Sequence, residues 1–143
     1  IQLVGMLGAW MFARISEKIG NLRALMITIG SWTLICIGAY FVTDAIQFLT
    51  VAFFIGIVMG GSQSLARSTY SKMLPADTTD HTSFFSFYDV MEKLATVAGT
   101  FSFGLIEAIT GSMRFSVLAI TVFFILSLFF MLLLYRRIRR EAK

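Results

Sequence analysis

One cysteine, one proline, one histidine and few charges are spread over 143 residues. Each scarcity excludes something. A lone Cys36 cannot form an intrachain disulfide, so cysteine usage says nothing of compartment. Cys36 and His81 cannot between them build a zinc centre. No hydrolase triad, phosphate-binding loop or metal-ligand cluster can be read in the chain, so no enzyme activity, cofactor or metal is expected. With Pro75 the only proline, long helices are free to run elsewhere. Short alternating apolar segments are missing, which argues against a transmembrane barrel. Ile1 already stands in an apolar run with no basic residue before it. No cleavable signal peptide is expected, and the chain reads as a piece of a longer one.

What is abundant is apolar. Hydrophobic residues make up 57% and charged residues only 14%, and mean hydropathy is +0.82. That exceeds the roughly 45–50% apolar share of soluble domains. The charges cluster between long uncharged runs. The expected fold is all-α, a polytopic transmembrane bundle of five segments forming one domain. The segments fall near 1–13, 24–42, 45–66 with its helix continuing to about 73, 86–107 and 115–135. The first, about 20 Å as a helix, is short of the roughly 30 Å hydrocarbon core and reads as truncated. Its Gly5, Ala9 and Ala13 form a small-residue face suited to close helix packing. The loop 14–23 carries mixed charges around Gly20, a helix-end residue. Loop 76–83 is short and hydrophilic, and His81 sits in it as a solvated residue.

The third and fourth segments differ in kind from the second and fifth. On the third, Gly56, Gly60, Gln63, Arg67 and Tyr70 recur at steps of four and three. On the fourth, Asp89, Glu92, Thr96, Gly99, Phe103 and Glu107 do likewise. Each set is one helix face. A small and polar stripe avoids lipid, so both should face protein or a water-filled cavity, with the polar chemistry on the facing ends of the two segments. The uncharged second and fifth segments are expected to be peripheral. The fourth is expected to start between Thr82 and Ser86. There Ser86 and Asp89 form a candidate capping box, and Asp89 and Glu92 would meet the positive end of the helix dipole.

Eleven of the twelve basic residues fall on one side if the C-terminus is cytoplasmic and five segments are threaded back; Arg114 alone falls on the other. This asymmetry accounts for the net charge of +4 without nucleic acid. The terminal Arg136–Arg140 cluster serves as a topology anchor or a contact for anionic lipid.

The loop from Ala13 to Arg23 resembles a degenerate copy of the major facilitator superfamily loop motif. Glu17 stands at the acidic position, Lys18 at the basic one and Gly20 at the glycine. Ala13 replaces the first glycine and Asn21 a basic residue. Gly60-Gly61, Gln63, Leu65, Arg67-Ser68, then Phe84-Phe85, Phe87-Tyr88, Val90 and Lys93 resemble the vacuole-effluxer-like branch, which includes autophagy-related amino-acid effluxers. The resemblance covers essentially the whole chain. It implies the C-terminal half of a twelve-helix transporter, about helices eight to twelve, with ten and eleven lining the pathway. It also implies a missing N-terminal half as partner, a small solute such as an amino acid, and alternating access between the halves.

The candidate pathway residues are Gly60, Gln63, Thr96 and Gly99. Gln63 can contact solute or bond a neighbouring helix. The candidate cytoplasmic gate residues are Glu17, Lys18, Arg67, Asp89, Glu92 and Lys93. Arg67 and Lys93 can form gate ion pairs, hold an anionic group, or snorkel at the interface. Asp89 and Lys93 are spaced to pair on their own helix. Asp89 and Glu92 either latch the opposite half or cap their helix. A competing function is a small structural membrane subunit that packs its glycine faces on a partner membrane protein. Membrane lipid is a partner either way, and a bacterial plasma membrane and a vacuolar membrane fit equally.

Overall fold

The computed structural model describes residues 1–75 and 79–143; part of the expected loop 76–83 lies outside them. Five helices follow one another: α1 (Gln2–Ile19), α2 (Asn21–Tyr40), α3 (Ala45–Met73), α4 (His81–Thr110) and α5 (Met113–Glu141). No strand occurs among the described residues. By length and composition α2, α3 and α5 can each cross a membrane. Short connections between successive helices make neighbours antiparallel.

Local chemistry sets the ends. Gly20 stops α1 with φ of 91°, a conformation that side-chain-bearing residues rarely adopt. Its N–H donates to the Ser16 carbonyl at 2.9 Å. α3 ends at Leu74, whose extended backbone suits the residue before Pro75. Asp80 caps α4, its carboxylate accepting from the Ser83 N–H at 3.3 Å.

Packing begins where side chains are smallest. α1 lies on α3 so closely that a Cβ on Gly60 would overlap the Gly5 carbonyl, and one on Gly8 would overlap Ile57. In lipid, where burial of apolar surface gives little between helices, such close backbone approach is a main source of helix association. α2 lies in the middle, packed on α1, α3 and α5, while α4 packs on α5. The buried cluster of Phe12, Ala24, Leu25, Ile29 and Leu65 joins the first three helices. Trp32 stacks on Phe124 at 5.3 Å between α2 and α5, and its indole N–H donates to Ser62 Oγ at 3.3 Å. Ser116 of α5 is fully buried and donates to the Phe103 carbonyl of α4 at 3.1 Å.

Several expectations need correction. The first helix runs on to Ile19, so Glu17 and Lys18 lie in its last turn and the loop shrinks to Gly20. Neither residue breaks a helix, and charge alone had suggested a loop. The packed face of α1 uses the expected Gly5 together with Gly8 and Phe12, whereas Ala13 is exposed. The fourth helix starts at His81, five residues before Ser86, so the capping box does not form. Asp80 reaches the free N–H groups first, and no acidic residue lies in the first turn. The stripes on α3 and α4 meet at their facing ends, as expected, but not along their length. No Cα of α3 comes within 8 Å of one in α4 among the described residues. α3 spends Gly56 and Gly60 on α1, and nothing lies within 4 Å of a Cβ placed on Gly99. Nor is α2 peripheral in this chain: it buries Ala24, Leu25, Thr28, Ile29 and Cys36, and α4 buries none. Small residues at the α2 contacts, not its lack of charge, decide that position.

Candidate functional site

The α1–α3 contact leaves a cleft of about 700 Å³ along its open side. Gln2, Gly5 and Met6 line it from α1, and Gly56, Gly60 and Gln63 from α3. Glycine serves twice here, letting the backbones touch and keeping the cleft wall flat. A second cleft of about 540 Å³ continues along α3. Its lining is polar: Gln63, Ser64, Arg67, Ser68 and Ser71, with Phe85 of α4. Gln63 and Ser64 belong to both clefts, so the two form one path down α3 that changes from apolar to hydroxyl-rich. Gln63 is exposed, and its amide has no hydrogen-bond partner among the described residues.

At the polar end, side chains bridge the gap that the backbones leave. Arg67 Nη2 lies 3.1 Å from Asp89 Oδ1, with the two side chains 55% and 52% exposed. The Arg67 guanidinium also sits over the rings of Phe85 and Tyr88, at 5.8 and 5.9 Å. Tyr70 packs against the same two rings at 5.9 and 5.0 Å. Its hydroxyl donates to the Phe84 carbonyl at 2.8 Å. The ion pair at this exposure contributes under about 1 kcal/mol, and each cation–π contact about 0.5–1 kcal/mol. The rings supply most of what joins α3 to α4 here.

The expected pathway residues are therefore split. Gly60 and Gln63 line the clefts. Thr96 and Gly99 lie on α4, and the Thr96 hydroxyl donates to its own helix at the Glu92 carbonyl, 2.8 Å away. Of the gate residues, only Arg67 and Asp89 meet. Asp89 thus pairs across helices and not with Lys93. Glu92 and Lys93 are exposed on α4, Glu17 and Lys18 on α1. Tyr70, Ser64, Ser68 and Ser71 escaped the sequence reading as site residues. Ser64, Ser68 and Ser71 repeat at steps of four and three, the signal that would have shown a hydroxyl face. Among the described residues no group of three or more His, Cys, Asp or Glu is placed to hold a metal.

Among the described residues, five packed helices, three of them apolar enough to span, with apolar side chains turned outward, define an integral multi-pass membrane protein. The family model described as "Vacuole effluxer Atg22 like" matches residues 1–143, and the chain belongs to that family. Over 117 residues the chain is 24% identical to YxiO, an uncharacterized MFS-type transporter of Bacillus subtilis (strain 168). The match covers 82% of this chain and 27% of that protein, so the chain spans about a quarter of its relative's length. No solved structure matches the chain.

Proposed function

We propose that residues 1–143 form the greater part of the C-terminal half of a secondary transporter, which moves a small solute by alternating access. The observation that carries this reading is the continuous path down α3, open on one side and lined by Gly60, Gln63 and the serines. A half-cleft of this kind suits a solute route whose other wall comes from the N-terminal half. Amino acids fit such a path as solutes, because Gln63 and the serines supply donors and acceptors for a zwitterion. Arg67 and Asp89 act as a clasp at one end, and their separation would accompany opening. The distribution of basic residues supports a cytoplasmic C-terminus.

The test is solute counterflow in proteoliposomes containing the intact transporter, with a panel of amino acids. The expected result is saturable exchange for the intact protein. Gln63→Ala should reduce it about ten-fold, the scale of a lost solute hydrogen bond. Residues 1–143 alone should give none. Saturable uptake by residues 1–143 alone would sink the proposal, as would intact protein that exchanges none of the panel.

A further inference from the structure

A second site lies apart from the path, at the turn between α1 and α2. A cleft of about 390 Å³ opens there between Gly20, the first turn of α2, the end of α3 and Tyr135 of α5. Two cations line it, Arg23 and Lys72, and among the described residues no acidic one does. Both are held by neutral acceptors. Arg23 Nε and Nη2 donate to the Tyr135 hydroxyl at 3.0 and 2.7 Å. Lys72 Nζ donates to Asn21 Oδ1 at 3.1 Å, and Asn21 Nδ2 donates onward to Ser68 Oγ at 3.0 Å. Neither cation has a carboxylate partner among the described residues. Their charges are oriented, and no described carboxylate compensates them.

The backbone adds to this. No side chain caps α2, and no acidic residue lies in its first turn. The first N–H groups of a helix lack intrahelical acceptors and carry the positive end of its dipole. Ala24 N–H reaches the Gly20 carbonyl, leaving those of Asn21, Leu22 and Arg23 at the cleft. An independent observation points the same way. Thr69 lines the cleft, is only 6% exposed, and its hydroxyl has no hydrogen-bond partner among the described residues. A buried hydroxyl left unbonded costs about 1–3 kcal/mol unless something else supplies the bond.

We propose that this cleft binds a phosphate group. Helix N–H groups, a guanidinium and an ammonium form the donor set that a phosphate diester or free phosphate requires. Arg23 and Lys72 retain unused N–H donors, and Tyr135 its O–H. Among the described helices the cleft sits at the end of the bundle that holds most of the basic residues, where a lipid headgroup and a soluble phosphate both have access. Its lining residues differ from those of the solute path, which it touches through the Asn21–Ser68 hydrogen bond, and it does not depend on the transport proposal.

The test uses the intact transporter in detergent and native mass spectrometry. Phosphatidylglycerol and phosphatidylcholine are offered in one arm, and inorganic phosphate in the other. Arg23 and Lys72 are both exposed, so neutral replacements there should fold. Arg23→Gln and Lys72→Gln are each expected to lower retained phosphatidylglycerol about five-fold or more, whereas the control Arg14→Gln, an exposed cation outside the cleft, retains it. Thr69→Val, close in shape, should lower it by a smaller factor. Retention of inorganic phosphate that depends on Arg23, without lipid preference, would assign the site to soluble phosphate. Adducts unaffected by R23Q and K72Q in both arms would overturn the proposal. Equal loss in the control would overturn it too, by making the attraction a diffuse property of basic charge.

Discussion

At the scale of single residues, glycines of similar appearance in the sequence have opposite consequences. Gly60 and Gly99 both lie mid-helix on a polar stripe. A Cβ on Gly60 would overlap the Gly5 backbone, whereas one on Gly99 meets nothing within 4 Å. Gly60→Ala should destabilise the intact protein by about 1–3 kcal/mol, the cost of overpacking against a backbone that cannot rotate away. Gly99→Ala should be neutral or stabilising, by up to about 1 kcal/mol of helix propensity. Thermal unfolding in detergent checks both, and equal shifts would contradict the packing described. Arg67 and Asp89 show the other limit of single-residue reading. Their half-exposed pair adds little to stability, yet a contact made in only one state biases the balance of states by its whole energy. Asp89→Asn should leave expression near normal and change cysteine labelling of the solute path. Unchanged labelling would reduce the pair to a surface contact.

At the scale of elements, the helices of 20 to 30 residues were legible because charge-free runs and a lone proline leave few alternatives. The uncharged run 115–135 falls within α5, and the run 24–42 fills α2 to its end at Tyr40 and overshoots it by two residues. The boundaries were less so. Arg14, Glu17 and Lys18 look like loop residues, but charged side chains extend freely from a helix end, and only Gly20 interrupts the backbone. Ser86 and Asp89 have the spacing of a cap, yet Asp80 claims the role because it precedes them at a turn. The Arg67 stripe was legible as a face; its partners were not, because partnership depends on which helix approaches. Asp80→Ala should therefore cost about 0.5–2 kcal/mol and speed amide exchange in the first turns of α4. Ser86→Ala should leave exchange there unchanged. The reverse ranking would restore the later start.

At the scale of the whole molecule, the bundle is uneven. α2 holds three neighbours, while α4 rests on α5 and on the side-chain cluster around Arg67. Sequence polarity foretold which helices carry polar faces, but not which one lies in the middle, since centrality comes from mutual fit among small residues such as Ala24 and Thr28. The one-residue turn at Gly20 bears on biogenesis. Among the described residues α1 carries Arg14, Glu17 and Lys18 and is not one of the helices long and apolar enough to cross a membrane, whereas α2 is. With Gly20 alone between them, the two helices are expected to enter as a hairpin, the span of α2 bringing the charged end of α1 with it. A charge in the middle of α2, such as Ile35→Arg, adds about 2.5–3.5 kcal/mol to insertion. It should therefore strand α1 outside the bilayer as well, as glycosylation tags ahead of Ile1 would report; the same charge placed in α5 should leave α1 inserted.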